Sequence, residues 1–503
     1  MIKMKKYIFI AALTAMIGFS SCGDSFLTNY PTSSQEAGGP ATEGAILSNL
    51  TSCYQILLFD SYANYNYNSI VLMSDLRSDD IFKGGGDAGD QAQLYKLSQL
   101  APSSTQLPVG LWSIYYSGLS RCNGAIQACD NAVNVSEANL NRYKAEAHFL
   151  RAYYVHWLWK FWGNIPYFEE DLPKPYMAHQ YTADEIYDFI IADLDFAIAG
   201  DKLPMRTTAA NDGHASKAAA MMLKARVVMY QKDQSRYGEV LADMAEIINS
   251  HAYWLEDYTK IWLNTGEFCN ESVFETNQLA EGKDWGAAWQ GYGTNLPAFI
   301  SPNELKNQEP FIGGWGFGPV RPATYAIFED GDVRRDVSIN KFPDGSYTPR
   351  FQNTGLFLGK YSARKDYNKA PYTADLNYDN NLRIFRYAEV LLNAAELMTM
   401  DGVAPVDGIS AQDCLDDIRI RAGLGSIPAT AANIKLERRR EFVGEGMRFW
   451  DLVRWGDTDI LTENIPAFSS VRTWDAHCKY LPIPESEIQK TEGEFKLVQN
   501  DGY

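Results

Sequence analysis

Apolar side chains recur at helical spacing through much of this chain, and this pattern constrains its fold more than any other feature. Between Leu140 and Trp162 they follow one another at steps of four and three, as Tyr143, Ala147, Leu150, Tyr154, Trp157 and Phe161. A helix of 3.6 residues per turn gathers such positions on one face. We therefore predict a helix here whose aromatic stripe belongs to the core and does not bind a ligand.

The same periodicity predicts helices over about 183–198, with Thr182 as its cap, over 216–230 and over 237–248. Small alanines on one helix beside large residues on the next suit closely stacked helical hairpins. The pattern resembles tetratricopeptide-type hairpins without a strict repeat period. Helices are predicted again over Leu382–Met400, Ala411–Ala422 and Ala431–Arg454. The expected fold is mainly α.

Between about Asn264 and Asn380 this periodicity gives way to glycine, proline, asparagine and aromatic residues. Such composition predicts irregular loops with a few short strands. An earlier segment, Phe59 to Tyr95, has a similar composition, with tyrosines alternating with asparagines and a run of three glycines at 84–86. Two loop-rich regions are therefore expected on a helical scaffold.

The N-terminus has the organisation of a signal peptide. Three lysines precede an apolar run from Tyr7 to about Phe19, which is too short to span a bilayer. The run ends in Phe19-Ser20-Ser21-Cys22, a pattern at which lipoprotein signal peptides are cut and the cysteine is acylated. We predict a signal peptide over 1–21, and an acylated Cys22 with a flexible tether over 22–44. The alternative is an ordinary secretory cut near Ser21 that leaves Cys22 free.

Charge and cysteine content narrow the function further. The formal net charge is −18, and the single basic run, Arg438–Arg440, is flanked by two glutamates and is expected to be ion-paired helix surface. A nucleic-acid partner is therefore not expected. Export permits disulfides, but the spacing of the six cysteines after Cys22 supports none, and Cys122 and Cys129 would lie about 10 Å apart along one helix. Buried free thiols are expected.

Several motifs in order resemble the SusD/RagB family of outer-membrane lipoproteins over essentially the whole mature chain. They are LRAYY at 150–154, FWGNIPY at 161–167, RYAEVLL at 386–392, IRIRAG at 418–423, ERRREF at 437–442, GEGMRFWDLVRWG at 444–456 and YLPIP at 480–484. The resemblance implies a SusD-like helical fold, with an N-terminal helical region over 45–263. The loop-rich ligand region and the C-terminal helices would follow over 264–503.

The resemblance also implies a role. Family members sit as lids on a SusC-type TonB-dependent barrel and pass glycans, less often peptides, into it. We therefore expect a glycan ligand, a SusC-like transporter as partner, and a lipid anchor at the outer membrane, on the surface of a Gram-negative cell. The charged C-terminal motifs are expected to be structural, because their charges can pair at helical spacing.

The ligand is expected on the aromatic loops, because sugars offer apolar C–H faces to flat rings and hydroxyl groups to polar side chains. Aromatic residues are abundant, at 13% of the chain. Matching to the family places Phe82, Asp87 and Asp90 in the first loop, and Tyr292 and Trp315 in the second. Composition alone adds Trp285 and Trp289. Trp315 stands among glycines and is expected to be exposed, with little local packing.

No catalytic motif supports an enzyme. The chain has no GxSxG elbow, no HExxH and no GxxxxGK[ST] loop, and its six histidines are scattered. The match to GxGxxG at 84–89 is not followed by a helix. No cofactor is expected. Asp330-Gly331-Asp332 and Asp344-Gly345-Ser346 indicate turns, so no metal site is predicted. The alternatives left open are a family member that binds peptide or another nutrient, a glycoside hydrolase and a plain scaffold.

Overall fold

The computed structural model describes residues 39–503, except 64–65, 210–211, 287–289, 466–467 and 469. The predicted signal peptide, Cys22, most of the predicted tether and Trp289 lie outside these described residues. Within them, no helix is both long enough and apolar enough to cross a bilayer. The first described helix begins at Glu43, where the Thr42 hydroxyl accepts a hydrogen bond from the amide of Ala45.

The N-terminal half is a stack of helices. They are α1 (Glu43–Gln55), α2 (Ile70–Asp75), α3 (Ala92–Ser98), α4 (Gly110–Asp130), α5 (Glu137–Trp162), α6 (Ala183–Ile198), α7 (Lys217–Gln231) and α8 (Tyr237–Asn249). From α4 to α8, each helix packs against the next in the chain, and α1 packs against both α4 and α5. Gly118 allows α4 to approach α5 closely, since a Cβ there would lie 2.5 Å from the ring of Tyr154.

Capping residues and apolar spacing in the sequence explain where such a helix begins and which face it buries. Thr182 and Glu185 form a reciprocal capping box at the start of α6, as two polar residues three apart predict. The predicted stripe of α5 is fully buried, and so are Met221 and Met222 on α7. The prediction of a mainly α fold built from stacked hairpins is confirmed.

The central region is irregular, as predicted. It contains the short helices α9 (Leu296–Ile300), α10 (Pro322–Tyr325) and α11 (Val333–Ser338). Strand pairs along the chain are all antiparallel and two-stranded. They are β1 (Ser61–Ala63) with β2 (Asn66–Asn68), β3 (Ile165–Pro166) with β4 (Gln180–Tyr181), β5 (Ser272–Glu275) with β8 (Arg383–Arg386), β6 (Ile339–Lys341) with β7 (Leu356–Leu358), and β9 (Glu463–Ile465) with β10 (Ser470–Arg472).

The C-terminal helices return to the N-terminal stack. They are α12 (Tyr387–Leu397), α13 (Ala411–Arg421), α14 (Ala431–Phe442), α15 (Arg448–Trp455) and α16 (Glu485–Gln489). Helix α12 packs against α8, α13 and α14, and α15 packs against α7 and α2. One continuous core therefore joins the two helical parts.

Two predicted helices differ from those observed. The helix predicted over Leu382–Met400 starts late, because residues 383–386 pair as β8 with β5 before α12 begins. The helix predicted over Ala431–Arg454 is two helices. Gly444 and Gly446 lie between them with φ of +78° and +74°, values that a right-handed helix does not allow. Apolar periodicity continued across this break and concealed it.

The arginine run was also placed wrongly on the surface. Arg438 and Arg440 are buried, and Arg439 is largely buried. Their partners are mostly distant in sequence: Arg438 pairs with Asp451, and Arg439 with Asp80. The prediction that these charges serve the structure holds, but tertiary contacts rather than helical spacing satisfy most of them.

Buried charges around Glu441 form the densest part of this network. Its carboxylate lies 2.6 Å from Arg421, 3.0 Å from Arg386 and 3.2 Å from Arg334. Burial alone raises the pKa of a carboxyl group, but these guanidinium groups outweigh burial and hold the pKa of Glu441 well below its usual range. The network ties α11, α13 and α14 to the strand β8.

The cysteines are consistent with the expectation from spacing. Cys53, Cys122, Cys129, Cys269, Cys414 and Cys478 are free thiols, and all but the half-buried Cys269 are buried. The buried ones pack as small apolar residues in the core.

Candidate functional site

The two aromatic loop regions meet on one surface. Tyr62 and Tyr67 come from the β1–β2 hairpin, and Trp285 comes from the loop after β5. Trp315 comes from residues 313–318, which we call the glycine-rich loop. We call these four residues the aromatic platform. Each of the four rings contacts two of the others. The centroids are 5.4 Å apart for Tyr62–Tyr67, 5.4 Å for Tyr62–Trp285, 5.9 Å for Trp285–Trp315 and 5.7 Å for Tyr67–Trp315.

The two tryptophans lie nearly parallel, with an angle of 23° between their planes. Trp285 is 40% exposed, Trp315 and Tyr67 are half-buried, and Tyr62 is buried. Phe299 is buried beneath the platform, 5.0 Å from the ring of Tyr67 and 5.4 Å from that of Trp315. The exposed aromatic area is therefore supported from below by the core.

Trp315 is packed more closely than the sequence suggested. It contacts three rings of the site, and its indole nitrogen donates to the Asp375 carboxylate at 3.2 Å. The expectation of little local packing was wrong. The neighbouring glycine allows close approach of the backbone, since a Cβ at Gly314 would lie 2.2 Å from the carbonyl oxygen of Ala298. The glycines therefore let the loop pack closely against the core, and they do not leave the Trp315 ring without contacts.

Trp285 lies in a loop closed at its base by backbone hydrogen bonds. The amide of Leu279 donates to the carbonyl of Tyr292 at 3.0 Å, and the amide of Tyr292 donates to Glu281 at 2.9 Å. The Tyr62 hydroxyl donates to the Trp285 carbonyl at 3.1 Å. Tyr292, at the base of the loop, is 42% exposed, and Trp289 lies outside the described residues.

The first loop holds Phe82, Asp87 and Asp90. Phe82 is only 8% exposed and packs between Phe468, at 4.9 Å, and the guanidinium group of Arg321, at 4.4 Å. The Phe82 ring therefore packs against other parts of the chain, and it is not part of the proposed site.

The two aspartates stabilise the turn in which they lie. The Asp87 carboxylate accepts from the amides of Asp90 at 2.9 Å and Gly89 at 2.7 Å, and these hydrogen bonds lower the pKa of Asp87. Asp90 accepts from the amide of Gly86 at 2.7 Å. The Lys83 ammonium group donates to the backbone carbonyls of both aspartates. These hydrogen bonds stabilise the turn.

The first loop docks directly on the glycine-rich loop. The amide of Gly85 donates to the carbonyl of Gly316 at 2.9 Å. Arg350 joins the two loops, because it donates to the Trp315 carbonyl at 2.9 Å and its other terminal nitrogen lies 3.9 Å from the Asp90 carboxylate. The structure therefore places Asp90 and the backbone of Trp315 on the same arginine, Arg350, and their role in ligand binding stays a prediction.

Charge around Tyr67 gives the platform a polar edge. Burial raises the pKa of Tyr67 to about 12, and the adjacent Tyr62, Asp90 and Asp375 add to this shift. The Tyr67 hydroxyl therefore keeps its proton at neutral pH. Flat rings edged by carboxylates, a hydroxyl and a guanidinium group provide both stacking and hydrogen bonds to a polyol.

Tyr62, Tyr67, Asp375 and Arg350 were not predicted from the sequence as site residues. Tyrosines alternating with asparagines were a usable signal for the first two. Asp375 and Arg350 had none, because only folding brings them to Trp315. In the described part of the chain, no group of three or more His, Cys, Asp or Glu side chains is arranged to hold a metal ion. The cavity behind Tyr67 and Phe299 measures only about 10 Å³, which is too small to hold a sugar ring.

Comparison with known proteins identifies the family. The SusD family profile matches residues 333–503, and a family described as starch-binding and associating with the outer membrane matches residues 58–229. Surface glycan-binding protein A from Bacteroides fluxus is 62% identical, with a TM-score of 0.89, and the match covers 92% of this chain and all of that one. The chain belongs to the SusD family. The SusD-like fold expected from the motifs is confirmed.

Two further SusD-like structures are of proteins described as binding a glycan. Surface glycan-binding protein A from Bacteroides thetaiotaomicron in complex with laminarihexaose is 40% identical, with a TM-score of 0.86 and coverage of 92% of this chain and 100% of that chain. A laminarin binding SusD-like protein is 29% identical, with a TM-score of 0.81 and the same coverage of both chains.

Proposed function

We propose that this protein is a surface lipoprotein that captures a laminarin-type glucan on the aromatic platform. The observation that carries the proposal is the pair of nearly parallel indoles, Trp285 and Trp315, with the Asp375 carboxylate hydrogen-bonded at their edge. The SusD-like relatives described as binding laminarihexaose or laminarin support this choice of ligand.

The chemistry of the platform suits a glucan. The apolar C–H faces of glucose rings stack on indole and phenol rings, while their hydroxyl groups need hydrogen-bond partners nearby. Asp375, Asp90 and Arg350 provide acceptors and a donor at the edge of the platform. An open surface without a deep cavity suits one stretch of a long polymer rather than an enclosed monosaccharide.

The proposed contacts differ in the kind of interaction that each residue would make. Trp285 and Trp315 would stack on the sugar, Tyr67 and Asp90 would bind its edges, and Tyr292 would extend the contact at the base of its loop. Trp289 stays a prediction from composition. Asp87 would act indirectly, because its carboxylate is engaged by two backbone amides.

The proposed role at the membrane rests on the family and on the N-terminal sequence. Acylation of Cys22 would anchor the protein to the outer membrane, and bound glucan would pass to a SusC-like TonB-dependent transporter. Purification of the full-length protein from its native membrane in mild detergent is expected to retain a large β-barrel in near-equal amount. Repeated recovery of this protein alone would contradict the transporter role.

Calorimetric titration of residues 23–503 with laminarihexaose tests the binding role. We expect saturable binding that is lost in the double variant Trp285→Ala/Trp315→Ala, with the hexaose recovered intact. Matched titrations with an unrelated hexasaccharide and with a hexapeptide test the choice of ligand. Peptide binding without glucan binding, or cleavage of the hexaose, would overturn the proposal.

A further inference from the structure

Lys283 is a buried lysine beside the exposed platform. It lies two residues before Trp285 and is only 3% exposed. Burial of an ammonium group is unfavourable unless the group is well bonded, and here burial lowers the pKa of Lys283 to about 7. A lysine in this position therefore calls for a specific structural reason.

The side chain of Lys283 bonds to a distant part of the chain. Its ammonium group donates to the backbone carbonyl of Leu58 at 2.7 Å. Leu58 belongs to the 3₁₀ turn Ile56–Phe59, which directly precedes β1 and therefore Tyr62. This bond holds the Trp285 loop against the segment that carries the platform tyrosines.

The backbone of Lys283 bonds to a third segment. Its amide donates to the Asn377 side-chain oxygen at 2.9 Å, and its carbonyl accepts from the Asn377 side-chain nitrogen at 2.8 Å. Asn377 follows Asp375, the acceptor of the Trp315 indole, by two residues. Lys283 thus joins the segments that carry Tyr62, Trp285 and Asp375.

A buried carboxyl group completes the surroundings. An ionised Asp60 favours the protonated form of Lys283 and so opposes the effect of burial, and burial raises the pKa of Asp60 itself to about 7. Asp60 in turn accepts from the amide of Ile70 at 2.8 Å, which fixes its own position at the start of α2. Because Asp60 is itself hydrogen-bonded, removal of the ammonium group is expected to loosen the Trp285 loop rather than to shift its partners.

We infer that Lys283 is a positioning residue that holds Trp285 parallel to Trp315 and thereby sets the affinity of the platform for glucan. The inference rests on the proposed function for its effect on affinity. It does not need a direct contact between Lys283 and the ligand.

The variant Lys283→Met tests this, because methionine has a similar length and no donor. Loss of a hydrogen bond from a charged group is expected to lower the affinity for laminarihexaose about tenfold. In a Trp285→Ala background the same change is expected to have no further effect. The control is Lys224→Met, which removes a buried lysine paired with Asp195 and Glu239 among the helices, and its affinity is expected to match that of the wild type.

A second measurement needs no ligand. Acrylamide quenching of tryptophan fluorescence is expected to rise in Lys283→Met, and the rise is expected to vanish when Trp285 is also replaced by phenylalanine. If Lys283→Met does not fold by circular dichroism, Lys283→Gln replaces it in both measurements. Wild-type affinity and wild-type quenching in the folded variant would overturn the inference. Absence of binding in the wild type would instead reject the proposed function, while the quenching result would still decide the role of Lys283.

Discussion

Trp285 and Trp315 form one stacked pair, yet their surroundings differ. Trp315 is hydrogen-bonded to Asp375 and rests on Phe299, so it contributes to folding as well as to the surface. Trp285 is 40% exposed and is held through its backbone carbonyl and by the neighbouring Lys283. Replacement of Trp285 therefore separates binding from stability more cleanly than replacement of Trp315.

We predict that Trp285→Ala weakens binding of laminarihexaose by about 2 kcal/mol or more, roughly thirtyfold, because it removes a central aromatic contact. The thermal midpoint is expected to change little. Trp254→Ala is the matched control, since Trp254 is 48% exposed and is not part of the platform. Calorimetry and thermal unfolding measure both effects. Equal affinities in the two variants would contradict the proposed site.

At the residue scale, the sequence indicated which loops are rich in aromatic side chains, but it did not indicate which distant residues pack against them. Clustered aromatics among glycines drew attention to Trp285 and Trp315, whose rings the fold brings together. The burial of Phe82 could not be predicted, because its contacts with Phe468 and Arg321 are distant in the chain. The same reason hid Asp375 and Arg350, whose positions at the platform depend on the packing of loops.

At the scale of helices and strands, features that depend on local sequence were predictable, and features that depend on distant contacts were not. The boundaries of α6 and its cap were predictable, because capping and apolar spacing are local. The break between α14 and α15 and the strand β8 were not, since the strand needs its distant partner β5. The buried arginines of α14 likewise look like exposed helix surface until their acidic partners from other elements are known.

The buried charge network that joins these elements gives a prediction with a pH dependence. Glu441→Gln leaves three guanidinium groups without their shared carboxylate, and breaking such a buried pair costs about 3 kcal/mol or more of unfolding free energy. Because the pKa of Glu441 is depressed in the folded state, its contribution is full above the ordinary value of 4.5 and is lost as the pH falls toward the folded-state value.

Denaturant titrations of the wild type and of Glu441→Gln at pH 7 and at progressively lower pH measure this contribution. The difference between the two proteins is expected to be largest at neutral pH and to shrink in acid. A difference that grows as the pH falls would show that Glu441 is not held ionised by its arginine partners.

The docking of the first loop on the glycine-rich loop gives a second prediction at this scale. Gly85 has φ of +73°, and a Cβ there would lie 2.6 Å from the Phe317 ring. Gly85→Ala is expected to destabilise the protein by about 2 kcal/mol or more, through backbone strain and overpacking, and to weaken glucan binding. Gly345→Ala is the control, because Gly345 has φ of +81° and no atom near its Cβ position. Denaturant unfolding and calorimetry compare the variants, and equal stability losses would exclude a steric role for Phe317.

At the scale of the whole molecule, the helical stack acts as a rigid support that carries loops from distant parts of the sequence to one surface. The proposed anchor, Cys22, lies in the N-terminal segment. We predict that Cys22→Ala yields a folded protein that binds laminarihexaose normally but is absent from the membrane fraction, because a single acylated residue provides the attachment. Membrane fractions are compared with the wild type after a salt wash. Continued retention of the variant would show that another feature anchors the protein.

The most direct measurement of the central claim is a crystal structure of residues 23–503 in complex with laminarihexaose. We expect glucose rings stacked on Trp285 and Trp315, with hydroxyl groups hydrogen-bonded at the edge formed by Asp375, Asp90 and Arg350. A hexaose bound elsewhere on the molecule, with both indoles of the platform free of sugar, would contradict it.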